Sequence, residues 1–466
     1  MNSRVPRVGR SLVLAVLLVF LGTATVRAID VPPPRVATFR CDITPGPGEP
    51  LVWATNLVKV EAPLLAKGIL LEQGTNRYVL CALDWCLVGN DTELSFRKTL
   101  ADAAGTDPAR VAVQCLHQHA APYADERAFR LLDEAPTPLP HLSSNFMWTV
   151  RSRLAGVAAE AVRGLQPFDR VGTGQAQAER IASARRLKDE RGQPVVRYSN
   201  GAKNPKMAAA PEGLIDPYLR TITLARGGKP LVRLHYYATH PQTFCCDGRA
   251  SSDFVGLARE AVEQEEHVFQ VYFTGCAGDV TVGKYNDGSE QALTDLTARL
   301  KAAMKAAISH TCFVPAGALQ WRTDSFLLPL RADKEKVLTQ SRAWLNDPAQ
   351  GDGMRIYDGA MRIAFIDRLD RPIQVSSLHI GKVHILHLPG EPMLDFQFFA
   401  QQAAPNDFVA VAGYGDCGPA YICTDQALAE GGYEPTATNV GKGSEARLKH
   451  AIQVLLGKSD RGVPRD

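Results

Sequence analysis

Polar motifs that suit metal-assisted hydrolysis follow five apolar segments of the sequence. VAVQCL leads into His117 and His119, VRLHYYA leads into His240, and VHILHL leads into Glu391. VFQVYF and FVAVA lead into the glycine-containing runs TGCAGD and GYGD. Imidazole and carboxylate groups are ligands that Zn²⁺ accepts readily, and an open position marks a catalytic zinc site. If these segments are strands of an α/β sheet, their carboxyl ends can meet at one ligand-binding edge.

His117 and His119 lie two residues apart. In an extended segment, residues two apart point to the same face. One histidine can therefore bind a metal while the other stays close to the metal-bound water. On its own, H-x-H is more often a pair of ordinary hydrogen-bonded histidines, but His240 and Glu391 at other strand ends favour a metal site.

The elements that must position these residues alternate along the chain. Short apolar strands and amphipathic helices predict an α/β fold, and two hairpins, turning at Gly227–Gly228 and near Gly381, favour a large mixed sheet over a purely parallel one. The helices should cover this sheet, with the metal site at the carboxyl ends of strands. We detect no internal repeat and expect one domain from residue 29 to 466. Residues 185–211 are interpreted as a surface loop or a lid. The predicted strands are 77–85, 111–116, 219–225, 230–237, 268–273 and 408–412, and the predicted helices are 92–104, 145–165, 254–265, 294–308, 393–403 and 445–456.

Several segments, in the same order and spacing, resemble the successive motifs of the neutral, non-lysosomal ceramidases. They are CLHQHAAP, ATHPQT, GCAGDV, LPGEPM and GPAYICTDQALAEGGYEP, and the resemblance runs from CDITP near residue 42 to the last predicted helix. It implies a zinc-dependent hydrolase that cleaves linear N-acyl amides, such as N-acylsphingosine, into a fatty acid and an amine. Longer members carry a C-terminal β-sandwich, which we expect this chain to lack.

The resemblance also assigns roles residue by residue. It implies one Zn²⁺ per chain, with His119 beside the zinc water as general base and acid and Tyr433 as a donor to the oxyanion. The ligands carried over by position are His117, His240, Glu391 and Tyr421.

One motif departs from the family pattern. The family's GDVSPN reads GDVTVG here, so Thr281 replaces a serine. Threonine keeps the hydroxyl, but its methyl group restricts the rotamers. Two nucleophiles therefore stay open, the zinc water and Thr281 itself; we favour the zinc water.

Composition limits the classes of partner. The net charge is +3, from 52 basic and 49 acidic residues, and no run of five like charges occurs. A nucleic-acid partner would need a concentrated basic face, so none is expected. A small-molecule or lipid amide is the expected substrate, with peripheral contact to membrane lipid as an option. Arg185 and Arg186 could bind a substrate head group or simply be solvated.

The first 28 residues have the features of a cleavable secretory signal. Three arginines precede the apolar run 11–22, and VRA ends at Ala28. This run is short for a membrane span, so we expect a secreted or periplasmic protein. Export permits disulfides among the ten cysteines, and Cys417 and Cys423 could be bridged. Cys245 and Cys246 are adjacent, and neighbouring cysteines rarely form a disulfide with each other.

Three functions compete at this stage. The first is N-acyl amide hydrolysis of ceramide-like lipids. The second is a zinc hydrolase of the same fold that acts on another amide or an ester. The third is a secreted binding protein that kept the fold and lost turnover; the full ligand set argues against it, whereas Thr281 leaves it open.

Overall fold

Three mixed sheets form the body of the protein. This computed structural model describes residues 1–3, 32–347, 349–350 and 352–458, so the predicted signal, apart from its first three residues, lies outside the described part. Within that part, each sheet combines antiparallel pairs with one parallel pair, and helices pack on the sheets. The predicted α/β class with mixed sheets is confirmed, although the strands divide among three large sheets rather than forming one.

The first unit begins the pattern that the other two follow. Its elements are β1 (Arg35–Asp42), β2 (Leu65–Gln73), β3 (Asn76–Leu83), α1 (Asn90–Ala104), β4 (Val111–Cys115) and α2 (Ser144–Arg163). The strands lie in the order β1-β2-β3-β4, and only the β3–β4 pair is parallel. Helix α1 makes the crossover that a parallel pair requires, and α2 packs on α1 and β1.

The second unit repeats this arrangement. Its elements are β5 (Arg170–Gln177), β6 (Tyr218–Arg226), β7 (Lys229–Tyr237), α3 (Asp253–Glu266), β8 (Phe269–Thr274) and α4 (Glu290–Ser309). Again only the last pair, β7–β8, is parallel. The β6–β7 hairpin turns at Gly227 and Gly228, whose φ angles of 55° and 83° lie in the left-handed region that glycine adopts without strain. The hairpin predicted at this turn is present.

The third unit has the same order of elements. They are β9 (Leu319–Phe326), β10 (Ile373–Ile380), β11 (Val383–His387), α5 (Leu394–Ala403), β12 (Phe408–Ala412) and α6 (Ser444–Leu456). Its β11–β12 pair is parallel and its other pairs are antiparallel. The expectation of no internal repeat is therefore wrong at the level of structure. The units share their strand order and their pattern of burial. Many different sequences can satisfy both, so the repeat in the structure leaves no recognisable sequence identity between the units.

Each unit carries a long insertion directly after its first strand. The insertions span residues 43–64, 178–217 and 327–372, and the third contains the helices Lys334–Asn346 and Gly353–Ile366. The second contains the whole segment predicted as a surface loop or lid, residues 185–211. That segment forms a hairpin, Arg186–Lys188 with Pro194–Val196, and its Arg185 and Arg197 are buried. Most of the segment lies at the surface, as predicted, and its two buried arginines bond to neighbouring backbone and side chains and so hold it against the folded body.

The carboxyl ends of the three last strands meet. The backbone N–H of Cys115, at the end of β4, donates to Tyr414 O after β12 at 2.8 Å. The N–H of Gly413 donates to Thr274 O at the end of β8 at 2.9 Å, and the Thr274 hydroxyl donates to Leu116 O at 2.7 Å. These bonds join the three units edge to edge, so residues that follow the strands face one centre.

Two further features bear on the expectations from sequence. No helix in the described residues combines the length and the apolar character needed to cross a membrane. All ten cysteines are free thiols, so Cys417 and Cys423 are not bridged.

Candidate metal centre

The three units contribute one ligand group each to a buried cluster. His117 follows β4, His240 follows β7, and Glu391 follows β11. The Nε2 atoms of both histidines lie 3.1 Å from Glu391 Oε2. All three ligand atoms lie within 4.8 Å of one another, and all three residues are buried. The structure therefore brings together three of the four ligands that the resemblance implies. His240 and Glu391 are in contact although 151 residues separate them in the sequence.

Backbone carbonyl groups fix the orientation of both imidazoles. His117 Nδ1 lies 2.8 Å from Cys86 O, and His240 Nδ1 lies 2.7 Å from Ala277 O. A carbonyl oxygen only accepts, so each Nδ1 carries a hydrogen, and the Nε2 atom of the neutral ring form presents a lone pair. Carbonyl partners of this kind are typical around histidines that bind metals.

The resulting centre contains acceptors without a donor. Two imidazole lone pairs and the carboxylate of Glu391 face each other at hydrogen-bond distance. Burial above all, and then Arg185, lowers the pKa of His240 to about 3, so this histidine stays neutral at ordinary pH. A cation between these groups would stabilise lone pairs and a carboxylate that converge in a buried site. The donor set of two nitrogens and a carboxylate fits a metal ion.

Tyr421 stands beside Glu391. The short strands Glu391–Pro392 and Tyr421–Ile422 pair in parallel, with Glu391 and Tyr421 as direct partners. Direct partners on neighbouring strands point to the same face with Cβ atoms about 5 Å apart. The Tyr421 ring also stacks parallel to the His240 ring, with centroids 6.4 Å apart. The strand pairing and the ring contact place Tyr421 next to Glu391 and His240.

Arg185 holds the phenol oxygen of Tyr421. Its guanidinium donates to Tyr421 Oη at 2.8 Å and lies 5.5 Å from the ring centroids of Tyr421 and Tyr433. Burial raises the pKa of Tyr421 well above its usual value, and Arg185 opposes that rise. Only 5% of Arg185 is exposed, so the option of a solvated arginine is wrong. Sequence offered no signal for this contact because 236 residues separate the partners.

His119 lies next to the cluster but turns to other partners. Its ring centroid is 5.1 Å from that of His117, at an angle of 84°. Its Nδ1 accepts a hydrogen bond from Gln242 Nε2 at 3.1 Å, whereas its buried Nε2 has no hydrogen-bond partner in the described residues. Burial, more than its charged neighbours, lowers the pKa of His119 well below the usual value.

A pocket opens onto this centre, and most of the site residues suggested by sequence line it. Aromatic and apolar side chains such as Trp53, Tyr123 and Met361 form much of its wall. The site residues that line it are His117, His119, Glu391, Tyr421 and Tyr433.

Thr281 lies apart from the pocket wall. It belongs to the two-residue strand Val280–Thr281, which pairs with Ser183–Ala184. Its hydroxyl accepts the N–H of Gly283 at 3.2 Å, and only 1% of the residue is exposed. The segment supports the site through its backbone instead, because Val280 O lies 3.0 Å from His240 Nδ1.

An aspartate and an arginine on the pocket wall had no signal in the sequence. Asp358 and Arg362 lie one turn apart on the helix Gly353–Ile366. The Trp53 indole N–H donates to Asp358 Oδ1 at 3.2 Å, and burial raises the pKa of Asp358 to about 6. Trp53 has a φ of 52°, which is a strained conformation for a bulky residue and is common at functional sites.

Comparison with solved structures identifies the fold. The structure of neutral ceramidase from Pseudomonas aeruginosa superposes with a TM-score of 0.67 and 14% sequence identity, covering 91% of this chain and 74% of that chain. The chain has the neutral ceramidase fold. A ceramidase complexed with C2 also shares this fold, with a TM-score of 0.66, 14% identity, and coverage of 93% of this chain and 77% of that one. No protein-family model and no curated protein sequence matches the chain. At 14% identity the neutral ceramidase fold is established, and the function must be argued from the site itself.

Proposed function

We propose that this protein is a zinc-dependent hydrolase of N-acyl amide bonds, with ceramide-like lipids as the substrate class. The observation that carries the proposal is the convergence of two histidine lone pairs and a carboxylate beside an open pocket. His117, His240 and Glu391 would hold the ion, and Tyr421 would complete a four-ligand set. Nitrogen and oxygen ligands with one side open to a pocket are typical of catalytic zinc. When bound, zinc lowers the pKa of water to about 7 and polarises a carbonyl oxygen.

His119 moves the protons. The residue lines the pocket beside His117, and its buried Nε2 has no hydrogen-bond partner in the described part of the chain. It takes a proton from the attacking water and returns it to the nitrogen of the departing amine, as a general base and then a general acid. For Nε2 to accept, Nδ1 must carry the hydrogen and face an acceptor. Rotation of the Gln242 amide by 180° places its oxygen, instead of its nitrogen, against Nδ1.

Tyr433 stabilises the charge that develops on the carbonyl oxygen. Its ring lies 5.7 Å from the Tyr421 ring, on the wall of the pocket. Burial raises the pKa of Tyr433 to about 12, so the phenol keeps its proton at neutral pH. A protonated phenol fixed in a pocket can donate to an oxyanion without reorganising, which favours the transition state.

The walls of the pocket suit a substrate with an apolar chain and a polar head. Trp53, Tyr123 and Met361 offer apolar surface to an acyl chain. Asp358 and Arg362 offer an acceptor and donors to hydroxyl groups on the amine side. This combination supports N-acyl amino alcohols, the chemical class of ceramide, over simple alkyl amides. The N-terminal apolar run that follows three arginines supports a further proposal, that the protein is exported. Sequencing the N-terminus of the exported protein should give Ile29 as the first residue.

Zinc content and turnover test the proposal together. The purified protein should hold about one zinc, as one four-ligand site requires. It should cleave N-acyl amino alcohols in a series that varies acyl length and head group, and a chelator should abolish this activity until zinc is restored. His240→Ala should lose metal and activity, whereas His310→Ala, which alters an exposed histidine, should keep both. A zinc-loaded protein without turnover on any acyl amide or ester would instead support the binding-protein alternative.

A further inference from the structure

The loop that carries His240 also carries two adjacent cysteines whose thiols touch. Cys245 Sγ and Cys246 Sγ lie 2.8 Å apart. This separation is somewhat longer than the bond of about 2.05 Å in a disulfide. Both are free thiols, and Cys246 is exposed to solvent. Side chains of neighbouring residues in an extended chain point to opposite faces, so something must turn these two together.

Backbone strain brings the two thiols together. Cys246 has a φ of 59°, in the left-handed region that a residue with a Cβ rarely adopts. Gly248, two residues later, has a φ of 82°, and its carbonyl accepts the N–H of Val58 at 2.7 Å. The loop is thus fixed against the first unit in a tight turn. Strain of this kind persists where the surrounding structure enforces it, and it concentrates at functional sites.

The pair connects solvent with the interior of the site. Cys245 is partly buried, and its Sγ lies 4.0 Å from His119 Nδ1. The side-chain amide of Gln242, on the same loop, lies within hydrogen-bond distance of that nitrogen, at 3.1 Å. One loop therefore holds the His119 ring through Gln242 and Cys245, and holds the oxidisable partner Cys246 at the surface.

We propose that Cys245 and Cys246 are a redox-active dithiol that closes to a disulfide and thereby slows turnover at the neighbouring metal centre. The co-reactant is a low-molecular-weight disulfide. The Cys246 thiolate attacks one sulfur of this disulfide, its S–S bond breaks, and one reagent thiolate leaves. The Cys245 thiolate then attacks Cys246 Sγ in the mixed disulfide and releases the second reagent thiolate. The two cysteine protons pass to the two leaving thiolates, so two cysteines are oxidised and one reagent disulfide is reduced to two thiols.

The order of attack follows from the surroundings of each thiol. Cys246 is the exposed partner, and the hydrogen bond from Cys245 lowers its pKa. A thiolate that is both accessible and favoured reacts first. The same contact raises the pKa of Cys245, which suits it to act second, once Cys246 has become part of the mixed disulfide.

Closing the ring should slow the reaction only moderately. Sγ–Sγ would shorten from 2.8 Å to about 2.05 Å, so the atoms that support His119 shift by less than about 1 Å. A misplacement of about 1 Å in a catalytic group can cost about 10²-fold. We therefore expect oxidation to lower kcat by about tenfold, with the metal retained, because His240 keeps its own carbonyl partners.

The thiol chemistry can be tested without any turnover, so it is separable from the proposed function. The reduced holoenzyme should bind one equivalent of phenylarsine oxide, a reagent for closely paired thiols, and oxidised glutathione should abolish this binding while peptide mapping shows a Cys245–Cys246 link. Cys246→Ser should remove both responses. Cys312→Ser, which alters another exposed cysteine, should leave both unchanged. Failure of the wild-type protein to bind the arsenical, or a link between other cysteines, would overturn the site.

Turnover provides the second arm, which rests on the proposed hydrolase activity. Wild-type kcat should fall about tenfold on oxidation and recover with a dithiol reductant. Cys246→Ser should not respond to either reagent. Disulfide formation with unchanged kcat would overturn the effect on the metal centre.

Discussion

The contact between Arg185 and Tyr421 makes a quantitative prediction about metal affinity. The Arg185 guanidinium donates to Tyr421 Oη at 2.8 Å in a fully buried setting. If Tyr421 binds the metal through an ionised oxygen, this bond stabilises the ligand. Hydrogen bonds to charged groups contribute about 1.5–3 kcal/mol. At about 1.4 kcal/mol per tenfold, Arg185→Met should weaken zinc binding by about 10–150-fold.

A double-mutant cycle distinguishes this role from general damage. Tyr421→Phe removes the oxygen that Arg185 contacts, so Arg185→Met should cost little in that background. Zinc affinity would be measured by competition with a chromophoric chelator for the wild type, both single variants and the double variant. Arg186→Met is the matched control, since Arg186 pairs with Glu430 and Glu434 but not with Tyr421. Costs that simply add in the double variant, or an equal loss in Arg186→Met, would refute the reasoning.

Three more predictions concern proton transfer, the nucleophile and stability. His119→Ala should keep its zinc and lose about 10²–10⁴ in rate, whereas His117→Ala should lose both zinc and activity. Zinc content and kinetics would be measured on each variant. The opposite pattern would mean that His119 is the ligand and His117 the proton-transfer group. Thr281→Ala should retain zinc and turnover because its hydroxyl bonds to the Gly283 N–H, and a dead variant with a trappable acyl-enzyme in the wild type would identify Thr281 as the nucleophile. Burial raises the pKa of Asp125 to about 6, above the value of about 4 in the unfolded chain. The folded protein therefore binds this proton more tightly than the unfolded chain does. The stability that results is complete below about pH 4 and is lost as the pH rises through 6. Urea unfolding between pH 4 and 7 should accordingly show a shallower decline of stability for Asp125→Asn than for the wild type, and parallel curves would contradict this.

Local patterns in the sequence predicted the elements well. The helix predicted at 92–104 is α1 (Asn90–Ala104), and the strand predicted at 408–412 is β12 (Phe408–Ala412). The second predicted hairpin turns at Gly381, whose φ is 61°. These signals depend on periodicity and on backbone conformations that glycine permits, and both are local.

What the sequence could not predict depends on contacts between distant segments. Arg185 reads as a basic surface residue, and its burial results from Tyr421, which is 236 residues away. Asp358 lies on a helix of the third insertion, and its hydrogen-bond donor is Trp53, which is 305 residues away in the sequence. The division into three sheets was missed for the same reason. Strands that pair across an inserted segment are far apart in the sequence, so a pattern within a short stretch of residues cannot reveal the pairing. The motifs of His117, His240 and Glu391 were visible because each directly follows an apolar strand, whereas Tyr421 was assigned through the family resemblance alone.

The distribution of the ligands over the three units has a consequence for the order of assembly. During synthesis, the segment with His117 emerges first, the segment with His240 second, and Glu391 and Tyr421 emerge only with the third unit. No partial chain can therefore offer the complete set of ligands, and a nascent chain with two exposed histidines would hold a metal weakly. An ion held by this set would be taken up once the last unit has docked, so metal loading would be a late event that reports the completion of folding. The free energy of metal binding then stabilises all three units together, because it is available only to the fully assembled chain.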